Sequence, residues 1–202
     1  MRKAELIFIL SLALFLVISG VNDVRRDYDD LRENVIRIHI LANSDSDEDQ
    51  ALKLEVRDEI LSYTDQWLSE CKCVSEARDI LEGRMDEIQQ IAAEKIRNCG
   101  YDYPAESELV NMRFDDRVYG NITMPEGNYD AVRVTIGEAA GHNWWCVMYP
   151  PLCIPAAGDE LDIADYSGYF TEGEIDIMKN CSRYRVRLKC AELIDMFAGS
   201  EK

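Results

Sequence analysis

The chain has 202 residues, enough for one sizeable domain and too few for two full ones. Its 22 Lys and Arg against 39 Asp and Glu leave a formal net charge of -17, which makes phosphate backbones and anionic headgroups poor partners for its average surface. A composition 47% hydrophobic with three Trp and ten Tyr can bury a core, so global disorder is excluded as well.

Arg2 and Lys3 precede an apolar run from Leu6 to Ile18, broken only by Ser11 and followed by the small residues Ser19 and Gly20. A bilayer core of about 30 Å takes roughly 20 apolar residues of helix, so this run is short for a span and suits the core of a signal peptide. Residues 1–20 are therefore read as a signal peptide, with an uncleaved N-terminal anchor as the alternative. Residues 21–34 are charge-rich and read as a linker or frayed helix, and 35–198 as a single domain. Ile36, Ile38 and Ile40 alternate with Arg37 and His39, the period of a half-buried strand over Val35 to Leu41. The cluster Asn43 to Asp47 then offers helix N-cap residues, and Leu52, Val56, Ile60, Tyr63 and Trp67 follow at helical spacing. A second helix is expected over Ser75 to Asn98, stopped by Asn98 and Gly100.

Beyond it the pattern changes to short strands, Leu109 to Phe114, Arg117 to Ile122, Tyr129 to Ile136 and Trp144 to Tyr149, separated by turn residues that include Gly127, Gly137 and Gly141. Short links between successive strands favour antiparallel pairing. The end reads as an extended piece, Val186 to Leu188, and a short helix over Ala191 to Phe197. The expected class is α+β: a strand, two helices, a mostly antiparallel sheet and a short C-terminal helix.

Histidine is scarce, so proton-transfer chemistry has only His39 and His142 to draw on. Cys146 with His142 and Asn143 has the residue types of a nucleophile, base and orienter, but four residues of extended chain would separate His142 from Cys146 by about 13 Å. An exported hydrolase acting on septal wall or peptide, with Cys146 or the Asp45 cluster at work, is the alternative function. Asp45, Asp47 and Asp49 resemble the start of a calcium loop, yet Gln50 stands where the loop needs Gly and Val56 where it needs Glu, so no metal and no cofactor is expected. Cys146 and Cys153 flank Pro150 and Pro151 and form a disulfide candidate. Adjacent Trp144 and Trp145 face opposite ways on a strand, and an exposed Trp would be a recognition anchor. Together with the turn these residues give a candidate partner-binding surface of Asn43, Asp45, Trp144, Trp145, Pro150 and Pro151; the competing reading makes the turn a cap and the Trp pair core.

The run Ile36-Arg37-Ile38-His39-Ile40-Leu41-Ala42-Asn43-Ser44-Asp45-Ser46, continuing through Asp49 to Lys53 and Val56 to Asp58, resembles the first signature of the stage II sporulation protein R family. Tyr119-Gly120-Asn121, Pro125, Gly127, Tyr129, Val134 to Glu138, Gly141 and Asn143 to Cys153 are similar to that family's central region, in the same order. The resemblance implies an exported developmental signal, made in the forespore and released into the intermembrane space. It implies a protein partner, the membrane-bound aspartic protease that processes pro-sigma-E, contacted on its extracytoplasmic side. It implies no chemistry by the ligand itself.

Overall fold

The computed structural model describes residues 3–152 and 168–184, so Cys153, the expected strand Val186 to Leu188 and the helix Ala191 to Phe197 lie outside the described residues. Among the described residues the chain is α+β. It divides into two compact units, residues 32–115 with 126–152 and residues 3–31 with 116–125 and 168–184, so the second unit joins the N-terminal helix to parts of the span 35–198.

The larger unit is built on a four-stranded sheet of order β2-β5-β1-β6. Its strands are β1 (Ile36–Leu41), β2 (Ala105–Phe114), β5 (Gly127–Ile136) and β6 (Asn143–Tyr149), and the short β3 and β4 belong to the smaller unit. β2 with β5 and β1 with β6 are antiparallel, whereas β1 and β5 run parallel, Ile38 beside Val132. Sequential hairpins alone do not give this order, because β1 sits between β5 and β6. β1 is buried on both faces rather than one: Arg37 is fully buried and His39 is 4% exposed. A central strand with neighbours on both edges takes cover on both faces, and the polar side chains of the alternating pattern lie under aromatic rings instead of facing water.

Helix α2 (Asp47–Leu68) begins at Ser46, whose side chain accepts from the Asp49 N–H. Its buried row is Leu52, Val56, Ile60, Thr64 and Leu68, an unbroken i, i+4 line. Tyr63 and Trp67, expected on that row, fall to its side, where Arg84 lies 4.6 Å from the centroid of the Trp67 ring. The single helix expected over Ser75 to Asn98 is two, α3 (Val74–Gly83) and α4 (Met85–Asn98), because Arg84 at φ -115°, ψ 16° leaves helical geometry just after Gly83, a poor helix former. The apolar residues Ala77, Leu81, Ile88, Ile91, Ala92 and Ile96 are buried on these helices. β2 begins at Ala105, four residues before the expected Leu109, in a stretch whose exposed Glu106 and Glu108 mask its extended character.

α1 (Lys3–Glu33), nearly all of it in the smaller unit, continues as helix through the stretch read as a linker or frayed helix. Arg25 and Asp29, and Arg26 and Asp30, stand at the i, i+4 spacing that supports a helix, and Tyr28 and Leu31 are buried at i, i+3. Among the described residues no helix is long and apolar enough to cross a membrane. The expected strand Arg117 to Ile122 is a hairpin, β3 (Arg117–Tyr119) and β4 (Ile122–Met124), turning at Gly120, which has φ +56°. Helix α5 (Glu172–Lys179) packs on β4 and starts at a capping box in which Thr171 and Glu174 bond each other's backbone N–H.

Candidate functional site

At the C-terminal end of β1 the chain must reverse into α2, and the turn that does this is riveted to the loop between β5 and β6. Asn43 makes the central joint. Its Nδ2 donates to Asp49 Oδ2 at 2.8 Å, its Oδ1 accepts from the Glu138 N–H at 2.9 Å, and its own carbonyl accepts from the Ala140 N–H at 3.2 Å. The Ala42 carbonyl takes the Gly141 N–H at 3.0 Å. Ser44 Oγ donates to Asp49 Oδ2 at 2.5 Å, and the Ser44 carbonyl accepts from Gln50 Nε2 at 2.8 Å. Lys53, 4% exposed, donates from Nζ to Gln50 Oε1 at 2.5 Å and to the His142 carbonyl at 2.9 Å. Asp45 Oδ1 accepts from the His142 N–H at 2.6 Å and also meets His142 Nδ1.

Charge and burial explain who faces where. The hydrogen bonds from Ser44 and Asn43 stabilise the ionised Asp49 carboxyl and hold it below its usual pKa. Burial pushes the Lys53 amine down, against the pull of Asp45. Two glycines allow the close approach. A Cβ at Gly141 would collide with the Ser44 carbonyl oxygen, and Gly137, at φ +59°, would drive one into Asn43 Oδ1. Between them Ala139 holds the left-handed conformation at φ 52°, which for a residue with a Cβ costs about 1 kcal/mol and persists because the surrounding bonds fix the loop.

The three aspartates of the calcium-like run thus go to different tasks. Asp49 turns inward to the Asn43 and Ser44 side chains, Asp45 meets His142, and Asp47 is exposed in the first turn of α2. Among the described residues no three His, Cys, Asp or Glu side chains are grouped to hold a metal ion.

Trp144 and Trp145 lie on opposite faces of β6 beside this turn, both half-buried. Trp144 pairs with Ile40 and lies under Arg57, whose guanidinium carbon is 4.3 Å from the ring centroid. Its Nε1 is buried with no hydrogen-bond partner among the described residues. Trp145 pairs with His39 and stacks on it, centroids 3.8 Å apart and planes at 6°, while Phe114 meets it edge-on at 4.7 Å. Burial pushes the His39 imidazole below its usual pKa and the Arg133 charge adds to this; the Asn143 side chain opposes it. Neither ring nitrogen reaches hydrogen-bond geometry with a described residue. Beside it Arg37 places its guanidinium 4.1 Å from the Phe114 centroid and 5.0 Å from that of Tyr129.

The candidate surface therefore divides. Asn43, Asp45, Trp144 and Trp145 gather at one end of β6. Pro150, buried and joined to Tyr149 by a cis peptide bond, and the exposed Pro151 follow the other end, about 20 Å away at 3.4 Å per residue. Cys146, His142 and Asn143, which the sequence already sets too far apart along a strand, do not form a nucleophile, base and orienter set. His142 is turned to Asp45, and Cys146, 3% exposed opposite Ile38, is disulfide-bonded and not a free nucleophile. The partner of Cys146 lies outside the described residues, as do Cys153 and Cys190. Lys53, Arg57 and Gln50 are the contributors that sequence reading misses. Lys53 and Arg57 flank the apolar row of α2 at i, i+4, which is the signal that would find them.

No solved structure matches the chain. It is 38% identical over 121 residues to stage II sporulation protein R of Bacillus subtilis (strain 168), an alignment covering 60% of this chain and 54% of that protein. The family model described as stage II sporulation protein R matches residues 32–158, which take in β1, the riveted turn, the whole sheet and both Trp. The chain belongs to the stage II sporulation protein R family.

Proposed function

We propose that this protein is an exported intercompartmental signal of sporulation that triggers the membrane-bound aspartic protease processing pro-sigma-E. Membership of a sporulation family gives the coarse role, and the family carries the name of a sporulation protein rather than of an enzyme. The finer role rests on the resemblance to the family and on the leader-like N-terminus. In this reading the protein leaves the forespore for the intermembrane space, with residues 1–20 as signal or anchor, and meets the extracytoplasmic side of the protease.

The observation that carries the choice of contact surface is the rigid turn itself. Loops held on a rigid scaffold are where binding residues concentrate, and a half-buried Trp adds contact area at low ordering cost. Asp45 and His142 stand out from this frame, with side chains 54% and 78% exposed. Asp45 and Asn43 with Trp144 and Trp145 are the proposed contacts.

The test is deletion of the gene in its host, followed through sporulation by immunoblot of pro-sigma-E. Processing should stop, return with the wild-type gene, and fail to return with Asp45→Arg although that variant accumulates and stays folded at the growth temperature. Normal processing in the deletion strain removes the reading altogether. Full rescue by Asp45→Arg removes the turn as the contact surface.

A further inference from the structure

β2 is an edge strand, ten residues long and paired with β5 in unbroken register from Ala105 to Phe114. In an antiparallel ladder, alternate residues turn both backbone groups toward the partner and the residues between them turn both away. Two bonds fix the phase. The Pro104 carbonyl accepts from the Gly137 N–H at 2.9 Å, so even-numbered residues face β5, and the Ser107 N–H points the other way, to Gln89 Oε1 at 3.3 Å. The same α4 covers that end again through Ser107 Oγ, which donates to the Met85 carbonyl at 2.9 Å. Past Ser107 the cover ends. The outward N–H and C=O of Leu109, Asn111 and Arg113 have no partner among the described residues.

Natural sheets guard such edges with bulges, prolines or a covering element, because a row of unpaired backbone groups is a template for another strand. Here the register has no bulge, the strand has no proline, and Glu108, Asn111 and Arg113 bond sideways, to Arg133, Asp130 and Glu126, rather than across the outer edge. Asn111 Nδ2 donates to Asp130 Oδ1 at 2.9 Å and Arg113 pairs with Glu126 at 3.0 Å. The geometry points to a second interaction surface: the outer edge of β2 from Leu109 to Arg113 accepts an extended segment of another protein as an added strand.

The flanking side chains state its chemistry. On one face of β2, exposed Glu106 and Glu108 are followed by half-buried Val110 and Met112. An added strand running antiparallel would set apolar side chains beside Met112 and Val110 and basic ones beside Glu108, which already pairs with Arg133 at 3.0 Å, and the exposed Glu106. With a net charge of -17, two copies of the chain repel, so a cationic partner fits where a second copy does not. This edge is a different surface from the turn after β1 and stands independently of the sporulation partner proposed above.

Amide hydrogen exchange by NMR on the full chain tests it, with a synthetic peptide in which threonine alternates with valine, valine, lysine and lysine in that order. At saturation the Leu109, Asn111 and Arg113 amides should slow by about tenfold or more, since each gains an inter-strand bond. The same peptide with glutamate for lysine, or with its pairing amides N-methylated, should give no protection. Asn111→Pro removes an outward N–H without touching the backbone ladder to β5, and should lose peptide binding while its melting curve matches that of Asn111→Ala, which loses the same side-chain bond to Asp130 and keeps binding. Absence of protection, equal protection by the glutamate peptide, protection elsewhere than β2, or a dimer in sedimentation that protects this edge without peptide would each overturn the proposal. If Asn111→Pro does not fold, the N-methylated peptide on the wild-type chain still decides.

Discussion

Asp49→Ala is the sharpest probe of the riveted turn. The Asp49 carboxylate accepts from Asn43 Nδ2 at 2.8 Å and from Ser44 Oγ at 2.5 Å, while the residue is 4% exposed. A hydrogen bond to a charged acceptor contributes about 1.5–3 kcal/mol when the donor is left unpaired by its loss. Asn43 and Ser44 are half-buried and recover part of this from water, so the variant should lose about 2–3 kcal/mol in total. For a chain of this size that is a fall of roughly 5–10 °C in melting temperature. Urea unfolding followed by circular dichroism, wild type against variant, measures it at neutral pH. The acid range supplies a second reading. Because the folded pKa of Asp49 is depressed, its contribution is present above the ordinary carboxylate pKa and is lost as pH falls through the folded value. The gap between wild type and Asp49→Ala should therefore shrink below about pH 4. A variant within about 0.5 kcal/mol of wild type at neutral pH would refute the claim that this carboxylate organises the turn.

Gly141→Ala should destabilise by about 2 kcal/mol or more, because its Cβ meets backbone at Ser44 rather than a movable side chain; a melting curve unchanged from wild type would show that the loop has room to shift. His39→Phe should flatten the pH dependence of stability just below neutrality: buried His39 has a lowered folded pKa, so the wild type loses stability as pH drops below about 6.5, and the variant lacks that loss until carboxylates such as Asp49 are protonated. Parallel losses in urea titrations of both proteins would contradict that. Mass spectrometry of unreduced protein should find Cys146 in a disulfide, with Cys153 as the expected partner; free alkylation of Cys146 without reductant would rule the bond out.

The elements with one strong local signal are readable from the residues alone. β1 announces itself by alternation, the start of α2 by its cap cluster, and β6 by its aromatic run. What stays hidden is set by tertiary context. The parallel pairing of β1 with β5 joins segments about ninety residues apart in the chain, and no local pattern encodes it. Arg84 interrupts an apolar periodicity that runs on smoothly from α3 to α4, so the break shows in its dihedrals and not in the pattern. α5 escapes sequence reading although Thr171 and Glu174 carry the spacing of a capping box, because its apolar row is only about two turns long.

The site is half legible for a related reason. A cap cluster of Asn, Ser and Asp is a local statement about where a helix begins, and it says nothing of the loop, nearly a hundred residues on, to which Asn43 and Asp45 are bonded. Once that partner is known, the composition of the loop makes sense. Gly137 and Gly141 stand where a Cβ would strike Asn43 and Ser44, and the Lys53 amine is led to the His142 carbonyl. The prolines at the far end of β6 group with the Trp pair only as neighbours in sequence, and the extended strand between them carries them apart. A strand makes sequence neighbours distant and sets distant residues side by side, so a surface on this sheet is better sought across β1 and β6 than along either one. The contacts from Asn43 and Asp45 to Glu138 and His142 follow that rule, which is why Asp45 and not Pro151 is the position to substitute when the partner surface is tested.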